Sequence, residues 1–388
     1  MNLDAGNFKD DEALDLLAGL LRIPSENPTG SEEAAGRYMV EALGRHGIAA
    51  ELSWAAAGRP NVVARLRGSQ PGRCLLFNGH LDTVPAGEGW SLDPYGAITQ
   101  NGRLYGRGAA DMKAGVASMA YAAILLHRLG NPFAGELLLF FNSDEERNNL
   151  GMRKFLADGG RADFAVIGEP SDLDVCTGHR GVARFWIATS GVPGHTSFVT
   201  SPDNAIYKMV KLVAGLERLG QEVRKREHPF VGQSSLTVAE IHGGTAPNIV
   251  PGLCRAHVDR RTLPGETRDE VAAEVDGCLS AVAQTHGFSY ELDCYQFVPA
   301  THLEHGHPLV RAVEASARAI RGAAVVLKGF EATCEAPFFS VDHGIPTLVF
   351  GPGSIRQAHT RDEYVEISEY LNGAKIYVDL VRRLLPTR

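Results

Sequence analysis

Residues 74–82 read Cys-Leu-Leu-Phe-Asn-Gly-His-Leu-Asp: a short apolar run, then a histidine and an acid two positions apart. An apolar run without alternation is the pattern of a strand buried on both faces of a sheet. Three further runs are of the same kind: Leu137–Phe141, Phe164–Ile167 and Thr347–Phe350. Long helical patterns lie between some of them, notably Asp111–Leu129. This spacing predicts an α/β sandwich with a sheet that is at least partly parallel. Upstream, a helix is expected over 10–23, with Leu14, Leu17 and Leu21 on one face and Pro24 and Pro28 ending it. A second helix is expected over 31–46, with strands near 49–54 and 60–67.

Residues 180–297 have a different rhythm. Val182–Thr189 alternates like a half-buried strand, and Pro202 opens a helix with Ile206, Val210, Val213 and Leu216 inward. Strands near 235–241 and 254–260 flank the turn GGTAPNIVPG. A helix over about 267–285 uses Val271, Val275, Cys278 and Val282, and a last strand falls near 288–296. The order β-α-β-β-α-β is that of a ferredoxin-like split module. The expected organisation is one domain from 1–179 and 298–388, with a second, 180–297, inserted into it.

Composition narrows the classes of function. Hydrophobic residues at 44% and charged residues at 22% exclude a disordered, collagenous or coiled-coil chain. A net charge of -8 without a basic tract argues against nucleic acid and against anionic membranes. No window has the length of apolar sequence that spans a bilayer. The start, MNLDAGNFKDDEALDLL, is acidic where a signal peptide is basic and apolar. The six cysteines are scattered, with no CxxC pair. The expectation is a soluble protein of a reducing cytoplasm.

Each of the four apolar runs ends on residues able to bind metal or move protons. The first leads to His80 and Asp82, the second to Asp144-Glu145-Glu146, the third to Gly168-Glu169, and the fourth to Gly351-Pro352-Gly353 and then His359. Ligand crevices of open α/β sheets lie outside the carboxyl ends of their strands. On an extended segment His80 and Asp82 project to one side, so the carboxylate can fix the imidazole tautomer and leave the other nitrogen for metal. Adjacent Glu145 and Glu146 would point apart, one toward metal and one toward substrate. Asp111, in GRGAADMKAG, is a candidate ligand, though by itself it reads as an ordinary helix cap. Imidazole and carboxylate donors without cysteine suit zinc, and also cobalt or manganese. Five such side chains exceed one tetrahedral zinc with an open position and fit two metals sharing a carboxylate. Neither a G-x-S-x-G elbow nor a cysteine-nucleophile motif is present.

The segments GHLDTVP, GRGAADMKAG, the strand-end DEE, GEP and GPGSIRQAHTRDEYV, together with LLRIPSENPTG near the start, resemble the dinuclear zinc amidohydrolases and exopeptidases. Acetylornithine deacetylases, succinyl-diaminopimelate desuccinylases, aminoacylases and glutamate carboxypeptidases belong to that family. The resemblance implies a mixed-sheet α/β/α catalytic domain of zinc-exopeptidase type, with the insert as lid and dimerisation domain. It implies that Asp111 bridges two metals, that His80 and Glu169 complete one site, and that Glu146 and His359 complete the other. Glu145 would be the general base toward the bridging water, and Asp82 would orient His80. His195, in Gly194-His195-Thr196-Ser197, would reach the active site of a partner subunit and stabilise the oxyanion, so a homodimer is implied. Asn248 and Arg261 match substrate-binding positions, with Arg260 the adjacent competitor.

CEAPFFSVDHGIPTLVFGPGSIRQAH is most similar to the acetylornithine deacetylases, and Glu335 within it could face a basic substrate side chain or be a plain surface acid. The loop DEERNNLG departs from the family's usual sequence after its DEE. The expected activity is metal-dependent hydrolysis of the amide bond of an N-acyl amino acid such as N-acetylornithine, by a hydroxide shared between the metals. The alternatives are a carboxypeptidase, dipeptidase or desuccinylase with the same centre, and a non-catalytic binding protein that has kept the fold.

Overall fold

A computed structural model describes residues 7–28, 30–198 and 203–387. The chain forms two compact units: Met1–Gly178 with Leu303–Phe330 and Cys334–Arg388, and His179–His302 with Glu331–Thr333.

In the first unit the four apolar runs are the strands Gln70–His80, Ala134–Asn142, Phe164–Ile167 and Thr347–Val349. They are contiguous in one mixed sheet, in the order 134–142, 70–80, 164–167, 347–349, and every neighbouring pair among them is parallel. Antiparallel strands extend it on both sides: Arg59–Arg67 and Ala50–Ala56 beyond 134–142, and Val175–His179 beyond 347–349. Both alternating sets of side chains are buried in the central strands, as Phe77 and Leu76 or Leu139 and Phe140 show. Strand Gln70–His80 lies between the next two strands of its own sheet in chain order, 134–142 and 164–167, so the chain passes first to one side of it and then to the other. That is the switch point at which an α/β sheet opens a crevice.

The helix expected from Asp111 runs from Lys113 to Arg128. Met112 occupies its cap without a side-chain hydrogen bond, so Asp111 precedes the helix and is no cap. Residues 113–126 of this helix are all buried, and small side chains bring it close to the sheet. A Cβ at Gly115 would meet the Gly168 carbonyl oxygen at 2.0 Å. Glycine there lets the helix press against the strand end that carries Glu169. The helices expected near the start are Asp10–Leu21 and Glu33–Arg45.

The second unit has a four-stranded antiparallel sheet in the order 235–243, 253–262, 181–190, 291–298. Ranked along the chain this is 2-3-1-4, the order of a ferredoxin-like split module. Pro202 lies outside the described residues. The first helix is Ala205–Val223, capped by Asn204, whose Oδ1 accepts from the amides of Ile206 and Tyr207. Its buried stripe is Ala205, Met209, Leu212, Leu216 and Val223, while Val210 is 54% exposed. Of the expected stripe Ile206, Val210, Val213 and Leu216, Leu216 is buried, Ile206 and Val213 pack partly buried at the edge of the core, and Val210 turns outward. Gly220 explains this orientation: a Cβ there would meet the Leu236 carbonyl at 2.9 Å, so the glycine side of the helix faces the sheet. The second helix, Arg268–His286, begins with a capping box between Thr267 and Glu270 and buries Val271, Val275, Leu279 and Ala283.

Candidate metal centre

Because the four central strands are parallel, their carboxyl ends lie on one edge of the sheet, and the polar residues that follow them meet there. Asp111 stands in the middle. Its Oδ1 is 3.1 Å from His80 Nε2 and its Oδ2 is 3.2 Å from His359 Nε2. On one side Glu169 Oε1 lies 3.7 Å from His80 Nε2. On the other, Glu146 Oε1 lies 3.3 Å from His359 Nε2. His80, Asp111 and Glu146 place ligand atoms within 4.8 Å of one another, and so do Glu145, Glu169 and Glu335. Seven of the eight residues expected in this domain's site are thus brought together, and the eighth, Asp82, stands behind Glu145 and Glu146.

The turn after strand Ala134–Asn142 separates the two adjacent acids. Residues 145–148 form a turn instead of the extended chain expected, and Asp144 before it has φ 64°. Glu145 still falls with Glu169 and Glu335 while Glu146 faces His359 and Asp111. Asp82 holds this turn: its carboxylate accepts from the backbone amides of Glu145 and Glu146, each at 3.1 Å, and from Asn27 Nδ2 at 2.9 Å. The His80 ring is fixed differently from expectation. Its Nδ1 contacts the Asp82 carbonyl oxygen at 2.8 Å, whereas the nearest Asp82 carboxylate oxygen is 3.7 Å away. The carboxylate is occupied with the turn, and the carbonyl orients the imidazole in its place.

Burial and mutual charge set the electrostatics of this cluster. Burial pushes the Glu145 and Glu169 carboxyl groups well above their ordinary range, Asp111 adding to the effect at Glu169. Burial also pushes Glu335 up to about 7. Burial opposes ionisation of Asp111, yet hydrogen bonds from His359 and His80 hold its carboxyl well below the carboxylate range. Hydrogen bonds to Asp111 and Glu146 raise His359 to about 10. His80 is raised against its own burial by Asp111 and Glu169. Acids gathered out of water around two imidazoles call for cationic charge. These donors could hold divalent cations, with His80 and Glu169 beside one oxygen of Asp111 and Glu146 and His359 beside the other.

Glu335 is fully buried, which removes the surface-acid reading. Asn142 Nδ2 donates to its Oε1, and its Oε2 has no hydrogen-bond partner among the described residues. In the second unit His195 pairs with Ile249 and is exposed, and the Thr196 amide donates to the Asn248 carbonyl at 3.0 Å, so His195 and Asn248 lie side by side. Arg260 is fully buried and ion-paired with Glu266 at 2.7 Å. Arg261 points to the other face and pairs with Asp259 at 2.8 Å.

Three residues behind the centre, Asn27, Glu32 and Arg59, carry no role in the sequence reading. Asn27 donates to both Asp82 and Asp144, each at 2.9 Å, and Glu32 accepts from the Asp144 amide at 3.2 Å while pairing with Arg59. Asn27 stands inside a quoted motif, which is a usable signal. Glu32 and Arg59 have none, because their pairing spans 27 positions of chain.

Comparison with known proteins points the same way. N-formyl-4-amino-5-aminomethyl-2-methylpyrimidine deformylase of Bacillus subtilis (strain 168) is 29% identical over 388 residues, covering 92% of this chain and 90% of that protein. Acetylornithine deacetylase of Vibrio campbellii is 33% identical over 325 residues, covering 82% and 83%. Among solved structures, aminopeptidase PepT of Bacillus cereus superposes with a TM-score of 0.81 at 19% identity, covering 98% of this chain and 100% of that one. A dinuclear metal binding peptidase of the M20 family from Bacillus subtilis gives 0.76 at 16% identity, covering 98% and 99%. These likenesses carry the fold. A model of peptidase family M20/M25/M40 matches residues 76–383, a span that takes in His80, Asp111, the Glu145-Glu146 turn, Glu169 and His359. The chain is therefore a hydrolase belonging to peptidase family M20/M25/M40.

Proposed function

We propose that this protein is a metal-dependent amidohydrolase that cleaves an N-acyl amino acid, of the acetylornithine deacetylase type. The observation that carries the reading is Asp111, with one carboxylate oxygen toward His80 and the other toward His359, and Glu145 beside the pair of sites. Zinc is the proposed metal, with cobalt or manganese able to use the same donors. Bound there, the two ions supply Lewis acidity, making water a better nucleophile and polarising the acyl carbonyl. Glu145 takes a proton from the attacking water and returns it to the departing nitrogen. Asp82 keeps Glu145 and Glu146 in place through their amides. Glu335, with a buried oxygen free of hydrogen bonds, is the acid proposed to receive a basic substrate side chain. Asn248 and Arg261 bind the substrate, and the burial of Arg260 in its own ion pairs supports Arg261 as the carboxylate partner. The six free cysteines support a reducing, cytoplasmic setting, and no described helix is long and apolar enough to cross a membrane.

The test is release of free amine from N-acetylornithine, neutral N-acetyl amino acids, N-succinyl-diaminopimelate, an N-formyl aminopyrimidine and dipeptides, before and after chelation and metal restoration. Cleavage that needs metal and favours N-acetylornithine is expected. Preference for a dipeptide or for the formyl compound would replace the proposed substrate, and no cleavage of any member would sink the reading.

His195 is proposed to stabilise the oxyanion in the active site of a second copy of the chain, making the enzyme a homodimer. Its exposure on a two-residue strand beside Asn248 supports that role. His195→Asn is expected to lose turnover while keeping its melting temperature. Mixed dimers of His195→Asn with Glu145→Gln should regain activity that neither has alone, because one of their two sites is then complete. No regain on mixing would remove the cross-subunit role.

A further inference from the structure

The fully buried carboxylate of Glu363 serves none of the roles above. Its Oε1 accepts from the backbone amides of Ala110 at 2.8 Å and Asp111 at 3.0 Å. Its Oε2 accepts from the Gly108 amide at 3.1 Å and from Arg107 Nη1 at 2.5 Å. One side chain thus satisfies the amides of Gly108, Ala110 and Asp111 in the loop that presents Asp111, whose own turn bonds run from Ala109 N to Gly106 O at 3.0 Å and from Lys113 N to Gly108 O at 2.9 Å. Arg107 carries the connection onward: it donates to the Ala86 carbonyl at 3.1 Å and stands over the Trp90 ring, 5.1 Å from its centroid.

Glu363 also belongs to the loop that presents His359, four positions earlier. That loop holds two non-glycine residues in the left-handed region, His359 with φ 63° and Asp362 with φ 52°. Such residues persist where their surroundings over-determine them. The Asp362 carboxylate is fixed by the amides of Ser91 at 2.8 Å and Leu92 at 3.3 Å. The Glu363 carboxylate supplies a further anchor to the residues around Asp111, beside the pairing of strands Tyr364–Glu366 and Arg103–Tyr105 and the bond from the Gly106 amide to the Glu363 carbonyl at 2.9 Å.

We infer that Glu363 is a positioning residue that joins the Asp111 loop and the His359 loop into one body and thereby sets the affinity of the metal ion on the His359 side. The inference rests on the two-ion reading of the centre. The two sides depend on Glu363 unequally. His80 ends a strand held by parallel neighbours on both sides, and Glu169 follows another such strand, so neither uses the tether. The His80 side draws one of its three ligands, the shared Asp111, from the tethered loops, and the His359 side draws two, Asp111 and His359. Without the carboxylate, buried amides of that loop and the Arg107 guanidinium lose their acceptor, and the loop must move to regain one.

The experiment uses the full chain stripped of metal, titrated with zinc against a chromophoric chelator and separately with cobalt while visible absorption is recorded. Wild type, Glu363→Ala and Glu363→Gln are compared after circular dichroism confirms folding. Wild type should take up two ions. In Glu363→Ala the first ion should bind within about threefold of wild type and the second about 10–100-fold more weakly, the usual cost of losing a partner behind a metal ligand. The cobalt spectrum of the second step should change with it. Glu363→Gln keeps one carbonyl oxygen for the amides and should fall between; it decides the matter where the alanine variant does not fold. Two ions bound with wild-type affinities, or both weakened equally, would overturn the inference. A wild type that takes up only one ion would overturn the two-ion reading itself.

Discussion

Glu145→Gln is expected to fold, to bind its metal ions as the parent does, and to lose turnover by about 10²–10⁴-fold, the usual contribution of a positioned general base. The amide keeps the shape of the side chain and removes only its ability to take a proton. Glu145 groups with Glu169 and Glu335, not with the His80, Asp111 and Glu146 ligand atoms, and the change leaves every proposed ligand side chain in place. Burial, the largest influence on its carboxyl group, moves its pKa upward. Steady-state kinetics beside metal analysis of the same sample make the check. Turnover close to that of the parent would remove Glu145 from the role, and loss of metal would reassign it as a ligand.

Asp111→Ala should have the opposite signature. Both carboxylate oxygens are in use, one toward each histidine, so the change takes a ligand from each proposed ion at once. It also leaves two imidazoles adjacent without the acid that balances them. Metal affinity should fall by more than the roughly 100-fold seen when a partner behind a ligand is lost, and activity should fall with it at low metal. Excess zinc or cobalt should restore activity only in part, because the shared ligand is missing at any metal concentration. Retention of two tightly bound ions in Asp111→Ala would show that the bridge lies elsewhere. Read together, the two variants separate proton transfer from metal binding: one keeps metal and loses rate, the other loses metal first.

The sheet shows why five weak motifs make one site. Cys74–Phe77, Leu137–Phe141, Phe164–Ile167 and Thr347–Phe350 are apolar because strands covered on both faces have no polar side to offer. That composition is visible in the chain and predicts where strands end, so His80, Glu145, Glu146, Glu169 and His359 could be picked out as strand-end groups. The split module was legible for a similar reason: alternation in Val182–Thr189 and the helix period in 267–285 are local patterns. The orientation of helix Ala205–Val223 was not, because several faces of that helix carry apolar residues, and the choice between them depends on how closely Gly220 approaches Leu236.

What the sequence by itself determined is the set of chemical groups and their place at the ends of strands, since residue type and periodicity are properties of the chain alone. Only tertiary structure decided how those groups share the work. The parallel order of four strands distant in sequence put their ends on one edge. A turn at 145–148 sent Glu145 and Glu146 to different neighbours, and the Asp82 carbonyl took the place expected of its carboxylate. Arg260 and Arg261 are adjacent and alike in sequence, and the sheet buries one with Glu266 while leaving the other half-exposed. Glu363 stands 252 positions from Asp111, and no local pattern records that its carboxylate accepts the Asp111 amide. Such contacts are set by the packing of whole elements, which brings buried donors to acceptors that the chain keeps far apart.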